Sequence, residues 1–181
     1  GERHHSHRVV RAVKNRFGAV SELGVFEMTG TGLRAVANPS MLFLSERAAG
    51  TPGSAVLCCV EGSRPILVEV QALVSTSTYG NARRMAMGVD PSRLSLLLAV
   101  LEKRAGLNLI GDDVFVNIAG GMTVDEPASD LGVLAAIASS VRNRVIPATT
   151  AMFGEVGLAG EVRGISQAPR RIREAAHVGF R

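Results

Sequence analysis

Only two cysteines occur in the 181 residues, and they are neighbours, Cys58 and Cys59. Adjacent residues of a strand point to opposite faces, so they are poor disulfide partners and lack the spacing of a zinc site. Two buried thiols in a reducing cytosol are expected. Lysine is almost as scarce: Lys14 and Lys103 stand against 18 arginines. His4, His5 and His7 crowd the start of the sequence and His177 stands alone near its end. Without cysteine partners, the three early histidines are expected to pick up metal only incidentally. The longest apolar runs, such as residues 94–101, break well before the roughly 18 residues that a membrane span needs. No basic-then-apolar signal segment opens the sequence. There is no G-x-x-x-x-G-K-[ST], and no G-x-G-x-x-G opens a helix after a strand, so this chain is not expected to hydrolyse a nucleotide by itself.

What is present is the composition of a folded domain. Hydrophobic residues make up 46% and charged residues 20%, which excludes a disordered chain. A chain of this length buries roughly 70% of its unfolded surface and needs no staples. The charge is unevenly spread. Residues 1–16 hold five cations (Arg3, Arg8, Arg11, Lys14, Arg16) and one acid, Glu2, a net of +4, while the remaining 165 residues hold 15 of each sign. Arginine's planar fork suits phosphate, so nucleic acid is a possible partner on composition alone.

The opening reads as an extended basic arm. Residues 22–28 read as a strand followed by a turn at Gly30, Thr31 and Gly32. A turn or short helix is expected after Asn38-Pro39-Ser40. Residues 54–60 and 65–74 are β-rich runs joined as a hairpin through Glu61-Gly62-Ser63-Arg64. Residues 76–88 form a polar stretch. A helix then follows, with Asp90 at its N-cap, Pro91 at its first position, Leu94, Leu97, Leu98 and Leu101 on one face, and Gly106 past its end.

Residues 114–118 alternate as a strand, with Val114, Val116 and Ile118 on one side, ended by Gly120-Gly121. Ser129 or Asp130 is expected to cap a second helix carrying Leu131, Leu134, Ile137, Ala138 and Val141, with Pro147 stopping the pattern. Two more strands are expected in 151–158 and 161–165, then an Arg-rich amphipathic helix over about 167–177. This order predicts an α+β fold, a mixed sheet with helices packed on one face.

Two segments carry possible chemistry. Thr123-Val124-Asp125-Glu126-Pro127-Ala128-Ser129 runs from a strand end into a helix start, where amide donors could serve an oxyanion. Ser129 as a nucleophile would need a base, and a helix cap is the plainer role. Lys14-Asn15-Arg16-Phe17-Gly18 sets two cations beside an aromatic and a glycine. It can reach a phosphate or simply be a solvated joint.

That pentapeptide resembles the KNRFG signature of the RadA (Sms) family of bacterial DNA repair proteins. So do Ala72-Leu73-Val74-Ser75, Gly80-Asn81-Ala82-Arg83-Arg84, Gly88-Val89-Asp90, residues 96–104, and the run from Phe153-Gly154-Glu155 to Val162-Arg163. The similarity covers essentially all 181 residues. Members of that family resemble one another in layout: a four-cysteine zinc finger, a RecA-like ATPase core with its Walker loop, the pentapeptide, and a C-terminal domain similar to the proteolytic domain of Lon (ribosomal protein S5 domain 2-like).

The resemblance implies that residues 1–18 are the end of the ATPase core and the joining motif, and 19–181 the Lon-like domain. Lon-type peptidases use a Ser-Lys dyad. The resemblance sets Ser129 at the serine position and Pro169 at that of the lysine, so the dyad is incomplete and no catalytic residue is expected. It further implies a DNA-binding and ring-forming part of a branch-migration motor in recombination, in the cytoplasm. The implied partners are single-stranded and branched DNA, further copies in a hexameric ring, and the recombinase RecA, with no membrane. This chain would hold no cofactor; ATP and Mg, with Zn in the finger, would belong to the full-length protein. Lys14 and Arg16 would touch nucleotide phosphate or the neighbouring subunit.

For DNA contact the candidates are Arg83, Arg84, Arg170, Arg171 and Arg173. No carboxylate lies closer in sequence to Arg83 and Arg84 than Asp90, so both are expected unpaired. The alternatives are a Lon-like serine peptidase and a purely structural ring-forming domain.

Overall fold

The computed structural model describes residues 7–11, 16, 23–47, 49–78 and 80–181. Strands β1 (His7–Arg11), β2 (Leu23–Thr29) and β3 (Gly32–Ala35) form a small antiparallel sheet, turning through Gly30 and Thr31 as expected. Helix α1 (Pro39–Leu44) starts at Asn38, whose side chain accepts from the Met41 amide. The main sheet is built from β4 (Ser54–Glu61), β5 (Arg64–Thr76), β6 (Arg84–Met87), β7 (Asp112–Ile118) and β8 (Ala151–Met152), in the order β6-β7-β5-β4-β8. It is mixed: β4–β5 and β5–β7 pair antiparallel, β6–β7 and β4–β8 parallel. Two longer helices, α2 (Pro91–Arg104) and α3 (Asp130–Arg142), and the last helix, α4 (Ala168–Val178), pack on this sheet. The α+β class is the one the element order predicts.

Pairing and periodicity place the core. Ala55, Leu57 and Cys59 of β4 share a face with Ile66, Val68 and Val70 of β5 and with Val114, Val116 and Ile118 of β7. The leucine stripe of α2 and Val133, Leu134 and Ile137 of α3 close over them. Each such buried aliphatic side chain contributes about 1.5–3 kcal/mol. The opposite face of β4–β5, carrying Val56, Cys58 and Leu67, packs against Ala175 and Val178 of α4 and Phe153. The expected one-sided cover is therefore refined: α2 and α3 take one face, and α4 takes part of the other.

The cysteines point to opposite faces, as neighbours in a strand must, and burial pushes the Cys58 thiol up to about 12 and that of Cys59 up as well.

Three local expectations fail for identifiable reasons. The polar stretch before α2 contains a strand, β6, because its Arg84 and Ala86 line up in parallel with Val114 and Val116. In residues 151–165 only two-residue ladders form: β8, β9 (Glu155–Val156) and β10 (Val162–Arg163). Glycines at 154, 157, 160 and 164 interrupt the run. Helix α3 stops at Asn143, which takes a left-handed φ of 49°, before Pro147 is reached.

Two glycines are required by close approach. A Cβ on Gly132 of α3 would come 2.7 Å from Leu57 Cβ, so the bare backbone lets the helix settle onto β4. Gly88 (φ 80°) would set a Cβ 2.3 Å from the Met122 carbonyl. Asp90 then caps α2, accepting from the Arg93 amide at 2.7 Å, with Pro91 at its first position.

Candidate functional site

A short 3-10 turn, Pro127–Ser129, leads into α3 and holds the candidate serine. Ser129 is buried, and its hydroxyl donates to the Glu126 carbonyl at 2.8 Å. The Ser129 amide points to the same oxygen at 3.1 Å. The capping expectation is corrected here: neither Ser129 nor Asp130 caps α3 with its side chain. The turn already supplies helical backbone at Ser129, so the hydroxyl faces back along the chain.

Asp130 has a different task. It is fully buried, takes the Arg93 guanidinium from α2 through Nε (2.9 Å) and Nη2, and accepts from the Val156 amide at 2.9 Å. One carboxylate thus ties α2, α3 and β9 together.

Beside the turn a cavity of about 180 Å³ is lined by Glu126, Pro127, Ala128, Glu155, Ser166 and Arg171, among others, and not by Ser129. Glu126 accepts both Nη1 and Nη2 of Arg171 at 2.6 Å and also the Val60 amide at 2.6 Å. Arg171 spends its remaining donors on the Ser166 carbonyl (3.1 Å) and the Cys58 carbonyl (2.7 Å). Its exposure is 0%, so the expectation that Arg171 meets DNA is corrected: all three guanidinium nitrogens bond inside the protein. Pro169 sits exposed in the first turn of α4 and offers no amine. Among the described residues no base accepts a hydrogen bond from Ser129.

The other four candidate arginines divide in the same way. Arg83 forks onto Asp113, at 3.0 Å through Nε and 2.6 Å through Nη2, and lies over the Phe115 ring. The expectation that Arg83 lacks a partner is corrected, because Asp113 is distant in sequence but comes from the neighbouring strand. The hydrogen bonds that Arg83 donates to Asp113 hold that carboxyl below its ordinary value and raise Arg83. Arg84 points to the other face of the sheet, half-buried, and donates to the Leu109 carbonyl at 2.8 Å; it too has a partner.

Arg170 and Arg173 remain exposed on α4. Arg170 reaches the Ser63 carbonyl at 3.1 Å through one nitrogen. Arg173 makes no hydrogen bond or ion pair among the described residues. His177 continues their row, and the three border an open cleft with Pro65 and Glu174. The spacing i, i+3, i+7 on a helix would have revealed this row in the sequence; His177 was passed over as a lone histidine.

Of the pentapeptide, Lys14, Asn15, Phe17 and Gly18 lie outside the described residues, and Arg16 is exposed. No described helix is long and apolar enough to cross a membrane.

Over all 181 residues the chain is 55% identical to the "DNA repair protein RadA" of Halalkalibacterium halodurans. It is 54% identical to that of Bacillus subtilis and 52% identical to that of Listeria monocytogenes, again over 181 residues. The resemblance to RadA holds from end to end. The chain spans about 40% of the length of each of these relatives. No family model matches it.

Proposed function

We propose that this domain is the DNA-contacting and subunit-joining part of a RadA-type repair motor, and that it carries out no chemistry of its own. The observation that carries the reading is the exposed row of Arg170, Arg173 and His177 on α4, in which Arg173 has no partner among the described residues. Exposed guanidinium groups on a helix flank suit phosphate oxygens. Nothing in α4 resembles a base-reading helix, so binding is to the backbone and independent of sequence. Single strands and branched ends are the expected ligands.

Proteolysis finds no support, since the Ser129 hydroxyl donates to a carbonyl and Arg171, locked onto Glu126, is permanently charged. The domain boundary at residue 18, the nucleotide role of Lys14 and Arg16, the hexameric ring, the contact with RecA and the cytoplasmic site all belong to this proposal. On the same reading ATP, Mg and Zn serve the part of the RadA relatives that this chain does not span.

The test is a binding titration with a labelled single strand. Replacing Arg170 and Arg173 together by Ala weakens binding severalfold and leaves thermal unfolding in place. Unchanged affinity in the folded double variant refutes α4 as the contact.

A further inference from the structure

Three carboxylates are buried among the described residues: Glu69, Asp113 and Asp130. Arg83 pairs with Asp113, and Arg93 pairs with Asp130. Glu69 has no cation at ion-pair distance among the described residues. We infer that the cleft beside Glu69 is a binding site for an aliphatic primary ammonium group, which supplies the missing counter-charge.

Strand register builds the site. Ser54, Gln71 and Asn117 stand in one row across β4, β5 and β7, and Glu69 lies two residues before Gln71 on the same face of β5. The Ser54 hydroxyl donates to Glu69 Oε1 at 2.5 Å, and Gln71 Nε2 donates to Oε2 at 3.2 Å. Both donors are neutral, so they satisfy lone pairs and leave the charge uncompensated. A carboxylate offers about four lone-pair sites, and these two bonds leave room for more. At 2% exposure water does little to offset the charge, and a buried ion is costly without a partner of opposite sign.

The cleft itself measures about 470 Å³, within the range of small-ligand sites. Gln71 and Asn117 line it beside Glu69, and Leu42 and Phe43 of α1 form an apolar wall. Gly120 (φ 75°) lets that wall close in, since a Cβ there would come 2.9 Å from the Phe43 ring. Gln71 spends its amide nitrogen on Glu69, and its amide oxygen makes no hydrogen bond among the described residues; neither does the side-chain amide of Asn117.

These features select the ligand. No cationic side chain lines the cleft among the described residues, so an anion has nothing to hold it. No group of three metal-ligating side chains occurs among the described residues either. An ammonium brings three N–H donors and no acceptor, which matches the Glu69 carboxylate and the two amide oxygens. Its methylenes fit the wall of Leu42 and Phe43. The group can come from a free amine or from the lysine of another protein.

The test is thermal unfolding of the 181-residue chain with n-butylamine hydrochloride, Nα-acetyl-lysine N-methylamide or tetramethylammonium chloride, each against sodium chloride at equal ionic strength. A ligand that binds only the folded chain raises the midpoint with its concentration. At least one of the two primary ammonium compounds raises it by a few degrees over sodium chloride, and the tetramethylammonium ion, which has no N–H, does not. The larger shift assigns the source, a free amine for butylammonium and a protein lysine for the amide. Glu69→Gln keeps an acceptor for Ser54 and loses the shift. If that variant does not fold, Asn117→Ala, at a half-buried position, reduces the shift instead. Neither primary ammonium compound raising the midpoint beyond sodium chloride, an equal shift from tetramethylammonium, or an undiminished shift in the folded variant overturns the inference. None of these results touches DNA binding by α4.

Discussion

Arg171 is the residue that holds the cavity beside the Pro127–Ser129 turn together. Its guanidinium is buried, bidentate to Glu126, and closes two backbone carbonyls. Removing it leaves a carboxylate without its counter-charge in a largely desolvated place, which costs about 3–5 kcal/mol. Arg171→Ala therefore lowers the unfolding free energy by about that amount in urea titration, and Arg171→Lys recovers only part of it because an ammonium lacks the fork.

Ser129→Ala is mild by comparison. It removes one neutral hydrogen bond to a carbonyl that the Ser129 amide still serves, so the loss is about 0.5–1.5 kcal/mol, with DNA repair unaffected in a complementation assay. Asp113 supplies a pH signature. Its folded pKa is depressed by Arg83, so its stabilisation is complete above the ordinary aspartate value near 4 and is lost as pH falls through the folded value. Asp113→Asn flattens that acid limb of stability against pH.

At the scale of elements, packing geometry sets the costs. Gly132→Ala places a methyl against Leu57 Cβ, with backbone of α3 and β4 on both sides, and destabilises by about 1–3 kcal/mol in thermal melts.

This scale also shows what the sequence could reveal. α2 was legible throughout, because cap, first-position proline, leucine stripe and trailing glycine all report local physics. The β4–β5 hairpin was legible for the same reason. β6 was not, because its partner β7 lies beyond an intervening helix and its own four residues, Arg84–Met87, carry two exposed methionines. The capping role given to Ser129 failed because a 3-10 turn and a helix start look alike in sequence. The partners of Arg83, Arg93 and Arg171 are carboxylates between 30 and 45 residues away in sequence, and only the fold brings them together. The candidate site was thus half legible: sequence found the arginine clusters, and tertiary pairing decided which members stay available.

For the whole molecule, the proposed role is to join and bind rather than to react. Its charge excess lies in residues 1–16, Asp113, Glu126 and Asp130 are tied to arginines, and α4 exposes Arg170 and Arg173. The most direct measurement is the salt dependence of single-strand affinity, compared between the wild type and the Arg170→Ala, Arg173→Ala double variant. Each phosphate contact releases counterions and steepens the fall of affinity with salt. The account predicts a steep wild-type slope that becomes shallower by up to about two units in the variant, roughly one per lost contact. A wild-type affinity that does not change with salt, or a variant whose slope matches the wild type, would contradict it.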